Sequence, residues 1–188
     1  DDQSTIETDR LRVVFDLVHG TVTEIATMPT ADQPARALRG AALGRVDVAW
    51  ENPGGMSAWV IGKIEKFEPL KPVNATIHRG TDFVDVTFDY ELPPHNAISE
   101  PSKIRQRFRV LASADQVDCT VEVDWQAVGN DKQPNPSIKI AFDTAVQDAL
   151  FTYEVPFGHI ARPADGREWP ALKWVAATWS DRAAANPA

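Results

Sequence analysis

Two faultlessly alternating runs, residues 104–110 and 117–125, are joined by the short loop 111–116, and they constrain this chain most. Alternation with a period of two sends successive side chains to opposite faces of a strand. The loop sets Val110 opposite Val117, which places Phe108 opposite Cys119 and Ile104 opposite Val123 on one apolar face. On the other face Arg109 then meets Asp118, Arg105 meets Glu122 and Lys103 meets Asp124. Each is an opposite-charge cross-strand pair that selects this register. The basic stripe is thereby explained as half of a charge ladder, not as a ligand-binding strip.

The same period recurs elsewhere, and no stretch sustains the i, i+3, i+4 pattern of a long amphipathic helix. Residues 11–17 and 21–25 flank His19-Gly20 and read as a hairpin. Val84, Val86, Phe88 and Tyr90 oppose Asp85, Thr87 and Asp89, and Pro93-Pro94 ends that strand. Further strands are expected at 46–50, 58–64, 73–78, 138–142 and 151–155. About ten strands in one chain predict an all-β fold of two packed antiparallel sheets with little helix. The alanine-rich residues 31–43 read as a short helix or a loose crossover. At 188 residues a single domain over 1–180 is expected, with 181–188 as a small-residue tail that frays.

Charge and cysteine usage narrow the function classes. A net charge of -8 opposes phosphate backbones and anionic lipid surfaces, so neither nucleic acid nor a membrane is expected as a partner. A neutral partner such as a carbohydrate fits better. Cys119 is the only cysteine, which excludes an intrachain disulfide and a cysteine-based metal cluster. A reducing compartment such as the cytoplasm is compatible with that usage. No apolar run approaches the roughly 20 residues needed to cross a bilayer. No phosphate-cradling glycine loop, nucleophile elbow or zinc helix motif is present. His19, His78, His95 and His159 lack metal-ligand spacing and read as turn or surface residues. Asn74-Ala75-Thr76 is a glycosylation sequon, relevant only to a eukaryotic secretory route.

Glycoside hydrolysis requires two carboxyl groups, about 5–5.5 Å apart for retention or about 6.5–9.5 Å for inversion. Most acids here fall on outward strand positions, where they stay solvated and ionised. Glu154, Asp165 and Glu168 are the exceptions, set in a segment dense in aromatic and polar groups, although turn capping at Asp165-Gly166 is the simpler reading.

That segment runs Tyr153-Glu154-Val155-Pro156-Phe157-Gly158-His159-Ile160-Ala161-Arg162-Pro163-Ala164-Asp165-Gly166-Arg167-Glu168-Trp169-Pro170-Ala171-Leu172-Lys173-Trp174-Val175. It resembles the C-terminal region of glycoside hydrolase family 38 α-mannosidases. In that family a similar apolar strand ends in Pro-aromatic-Gly, followed by Arg-Pro, Asp or Asn-Gly, Glu, Pro-Ala and a Trp-Val strand. Two further pieces agree in order. Residues 6–20, with Glu7-Thr8 and Leu11-Arg12-Val13, are similar to a family strand and its following Gly turn. Gly55-Met56-Ser57-Ala58-Trp59-Val60-Ile61-Gly62 is similar to a segment of some bacterial members.

The resemblance implies a large β-sandwich of the galactose mutarotase-like, supersandwich type, packed against a separate catalytic domain. That domain holds the zinc, the nucleophilic Asp and the acid catalyst, and its motifs are not in these residues. No catalytic residue, metal ligand or cofactor is therefore assigned to this chain. The expected function is a non-catalytic accessory domain of an α-mannosidase-like hydrolase, either excised from a longer protein or a short relative. Its partners would be the catalytic domain and mannosides. Glu154, His159, Arg162, Asp165, Glu168 and Trp169 are the candidates for an interdomain or substrate-proximal surface.

Two alternatives follow from the same residues. A carbohydrate-binding module would use Trp169, Trp174, Trp59 or Trp50 as a flat platform for a pyranose ring. A mutarotase-like epimerase would pair His159 or His95 as acid with Glu154 as base, a reading that rests on fold analogy.

Overall fold

The computed structural model describes residues 3–53, 61–95, 99–144, 149–165 and 168–178. The described residues form thirteen strands and no helix. The chain is all-β, as its alternation demands. In order the strands are β1 Gln3–Glu7, β2 Leu11–Asp16, β3 Thr21–Thr27, β4 Ala37–Glu51, β5 Ile64–Pro69, β6 Asn74–Arg79 and β7 Phe83–Leu92. They continue with β8 Ser102–Leu111, β9 Val117–Asp124, β10 Asn135–Asp143, β11 Leu150–Val155, β12 Gly158–Arg162 and β13 Val175–Thr178. Two compact units result, Asp1–Thr144 and Ala145–Ala188, and each is described by itself.

The first unit is an antiparallel sandwich. One sheet has the order β1-β2-β3-β4-β10, with β5 also on β4, and the other has the order β6-β7-β8-β9. Strand β4 is long enough to serve three partners: β10 lies along one side, while β3 and β5 share the other in succession. The inward row of β2, Leu11, Val13 and Phe15, is buried, as is that of β7, Val86, Phe88 and Tyr90. Phe108 of β8 packs edge-on against both sheets, with ring centroids 5.7 Å from Phe15 and 6.2 Å from Phe88. Such edge-to-face pairs contribute about 0.5–1.5 kcal/mol beyond area burial.

A polar link crosses this core. The Tyr90 hydroxyl lies 3.1 Å from the Gly20 carbonyl and 3.0 Å from Gln106 Oε1, and its single proton serves one acceptor at a time. Gln106, fully buried, donates from Nε2 to the Gly44 carbonyl at 2.8 Å. Burial pushes the Tyr90 phenol up, so it remains a neutral donor. Both glycines have positive φ, 68° at Gly20 after β2 and 78° at Gly44. Gly44 is the extra residue of a bulge, since Ala141 pairs with Arg45 and Phe142 with Leu43.

The alternating pair at the centre of the sequence reading has the expected register throughout: Val110 with Val117, Phe108 with Cys119 and Ile104 with Val123. The ion pairs differ. Arg109 bonds Asp85 through Nε and Nη2, both at 2.7 Å, and Arg105 bonds Asp89 at 2.7 Å, so both guanidiniums hydrogen-bond to β7 while Asp118 and Glu122 act on them only through longer-range charge. A residue on an inner strand has neighbours on both sides, and register alone does not choose between them. Here Asp85 is buried and Phe83 offers its ring to Arg109, 4.1 Å from the guanidinium carbon.

Hydrogen bonds from Arg109 hold the Asp85 carboxyl below its ordinary range despite the opposing desolvation. A carboxyl depressed in the folded state adds stability above its unfolded pKa of about 3.8 and loses it as pH falls through the folded value. Asp85→Asn should therefore flatten the acid limb of a stability-versus-pH profile below about pH 4. An unchanged acid limb would show that the pair contributes nothing.

Residues 31–43 correct the expected helix or crossover: 31–36 are loop and bends, and β4 begins at Ala37. Helix propensity distinguishes residues by less than about 1 kcal/mol each. Pairing with β3 and burial of Leu43 outweigh it. The strand expected at 58–64 begins only at Ile64, with Ile61, Gly62 and Lys63 outside any strand. Residues 58–60 lie outside the described residues, as do 181–188 and most of the Gly55–Gly62 similarity.

Candidate functional site

The segment singled out in the sequence builds the second unit, a three-stranded antiparallel sheet of order β12-β11-β13. Val155 pairs with Gly158, leaving Pro156 and Phe157 as the turn between β11 and β12. Phe157 adopts φ of 67°, a conformation that glycine favours, and its ring is fully exposed.

Register divides the six candidate residues. Arg162 pairs with Phe151, two residues from Tyr153, on one face, whereas Glu154 pairs with His159 on the other. On the first face the Arg162 guanidinium carbon lies 5.2 Å from the Tyr153 ring centre and 5.1 Å from that of Trp169. The guanidinium is thus stacked against two aromatic rings while Nη1 donates to the Pro170 carbonyl at 2.8 Å. Trp169 Nε1 donates to Asp165 Oδ1 at 3.3 Å, which brings Asp165 into this group. Glu168 is exposed beside it in sequence.

On the second face Glu154 is tied to the returning loop three times. Its amide donates to the Trp174 carbonyl at 3.1 Å, and its carbonyl accepts from the Leu172 amide at 3.2 Å. Its carboxylate Oε2 accepts from the Lys173 amide at 2.7 Å. The His159 ring lies 6.3 Å from that of Trp174. Glu154 is therefore a clamp on residues 172–174, and its carboxylate faces away from the Arg162 group. Glu154→Ala should accelerate hydrogen exchange of the Lys173 amide by about tenfold or more while the β11–β12 amides stay protected. Unaltered exchange at Lys173 would refute the clamp.

The tryptophans are not equivalent. Trp50 donates Nε1 to Glu68 at 3.1 Å and packs edge-on against His95, with centroids 5.0 Å apart, beside a small buried cluster that Trp125 also joins. Trp174 is 43% exposed. Trp59 and Gly166 lie outside the described residues. His95 donates from Nε2 to the Pro134 carbonyl at 3.2 Å and belongs to the first unit, whereas Glu154 belongs to the second.

Sequence reading did not anticipate two features. Tyr153 is a stacking partner of Arg162, a relation set by strand register and the reach of the arginine. A depression of about 570 Å³ lies on the outer face of β6–β9, lined in part by Asn74, Asp89, Lys103, Arg105, Glu122 and Asp124. Among the described residues no group of three or more His, Cys, Asp or Glu could hold a metal ion. No helix among them is long and apolar enough to cross a membrane.

The family model described as "Glycosyl hydrolases family 38 C-terminal domain" matches residues 6–185. No curated protein matches the chain.

Proposed function

Because the chain belongs to the glycosyl hydrolases family 38 C-terminal domain family, we propose that it is the accessory β-sandwich portion of an α-mannosidase-like enzyme and scaffolds the active site of a separate catalytic domain. The carrying observation is that the family match extends over both units, from β1 to beyond β13. The use of polar groups in the second unit agrees. Glu154 clamps a loop, Arg162 is stacked and bonded to Pro170, and Trp169 donates to Asp165. The surface around Arg162, Trp169, Asp165 and Glu168 then serves contact with the catalytic domain or with a mannoside near it. The purified chain, with or without added zinc, is expected not to hydrolyse an aryl mannoside; turnover by this chain alone would overturn the reading.

A second reading is direct carbohydrate binding, favoured by the exposed Trp174 ring beside His159. Titration with mannose oligosaccharides would then change tryptophan fluorescence, and a flat response to millimolar sugar would count against it.

A further inference from the structure

The depression of about 570 Å³ on the outer face of β6-β7-β8-β9 falls within the range of about 300–1,000 Å³ common for small-molecule sites. Alternation determines what lines it. Every second residue of these strands points outward, so pairing sets the charged ones in rows across the sheet. One row runs Glu91, Lys103, Asp124 and the next runs Asp89, Arg105, Glu122, from β7 through β8 to β9. Each row therefore reads acid, cation, acid, with directly opposite neighbours about 4.5–5.5 Å apart at Cβ.

The two cations are used differently. Arg105 gives Nε to Asp89 at 2.7 Å, and Glu122 acts on it through longer-range charge. Its terminal nitrogens hydrogen-bond to no described residue. Lys103 stands between two carboxylates, is exposed, and forms an ion pair or hydrogen bond with neither. Asp124 accepts at Oδ1 from Gln126, while the Glu91 and Glu122 carboxylates accept no hydrogen bond among the described residues. Strong donors and strong acceptors thus lie side by side without hydrogen-bonding to each other. Val73, 63% exposed, adds an apolar border.

We infer that this depression binds a neutral polyhydroxylated ligand, a hexopyranoside or a short chain of them. A hydroxyl both donates and accepts, so adjacent hydroxyls can accept from Lys103 and Arg105 while donating to Glu91, Glu122 and Asp124. Hydrogen bonds with one ionised partner are the stronger kind. A net charge of either sign fits less well. An anion would face four carboxylates, and a cation seated over β8 would face Lys103 and Arg105. The C–H groups of the ring would lie against Val73. Because these side chains are exposed, each bond replaces one to water, and the expected affinity is millimolar. The site lies wholly within the first unit and does not depend on the accessory-domain reading.

Methyl α-glucopyranoside and methyl α-mannopyranoside serve as neutral probes, with glucosamine and glucuronate as their cationic and anionic counterparts. All are titrated at equal ionic strength and about pH 6, where the amine is protonated and the carboxylates are ionised. Amide chemical shifts of the 188-residue chain report where each sugar binds. At least one neutral glycoside is expected to give saturable shifts at residues 103–105 and 122–124, and both charged sugars should bind there at least about threefold more weakly. Lys103→Met keeps the length of an exposed side chain and removes its ammonium, so it should weaken glycoside binding about fivefold or more. Unchanged shifts at Val86 and Phe88 in that variant report an intact core. An unmoved midpoint in Lys103→Met, tighter binding of either charged sugar, non-saturable shifts spread over both units, or saturable shifts confined to residues 151–178 would each overturn the inference.

Discussion

Gly44→Ala is expected to lower the unfolding free energy by about 3 kcal/mol, because two penalties coincide at one atom. The backbone there has φ of 78°, where an L side chain is strained. A Cβ built on it would also come within 2.5 Å of Phe108 Cζ and 3.3 Å of Gln106 Nε2. Phe108 has little room to yield, since it is 2% exposed and packed against Phe15 and Phe88. The bulge that Gly44 forms keeps β10 in register with both halves of β4. Relief of the clash would therefore disturb the sheet as well as the ring. Urea unfolding of the variant against the parent chain measures the loss; a change within about 0.5 kcal/mol would mean that the bulge relaxes freely.

Gln106→Leu should cost about 2–3 kcal/mol even though leucine fills similar space and is more apolar. The loss is a matter of partners. The Gly44 carbonyl forfeits the Nε2 donor at 2.8 Å, and the Tyr90 hydroxyl forfeits an acceptor at 3.0 Å. The carbonyl lies in the interior, where an unpaired polar group retains its full desolvation cost, whereas the hydroxyl keeps the Gly20 carbonyl as its acceptor. Tyr90→Phe should cost less, about 1 kcal/mol, since it removes a donor whose proton can serve only one of two acceptors. The double variant should be less destabilised than the two single losses added together, because Tyr90 and Gln106 share a bond. Strict additivity in denaturant titrations would show that the crossing link is not a unit.

Much of the first unit was legible because its strands are amphipathic. The row of Val86, Phe88 and Tyr90 against Asp85, Thr87 and Asp89 states which face is wet, and a one-residue slip would reverse it. The turn after β2 was legible for a similar reason: Gly20 supplies a positive φ there and the Asp16 carboxylate caps the Val18 and His19 amides at 2.9 and 3.0 Å. Residues 37–43 were not, since alanine and arginine carry no period of two and pairing with β3 makes them a strand. Strand β12 was hidden in the same way. Gly158-His159-Ile160-Ala161-Arg162 alternates weakly and remains largely exposed even when folded.

The candidate segment shows the same limit. Its order of residues marked a family, and the family match extends over both units. Sequence proximity could not show that Glu154 and Arg162 lie on opposite faces of one small sheet, or that Glu154 spends its carboxylate on the Lys173 amide.

By itself, then, the sequence determined the all-β class, the hairpin registers and the family, because those follow from alternation, turn chemistry and motif order along the chain. Only the tertiary structure decided which flanking acid each arginine hydrogen-bonds and how Tyr90 and Gln106 reach the carbonyls of Gly20 and Gly44. Each depends on which strands come to lie side by side or face to face, a relation between residues far apart in sequence that no local period encodes.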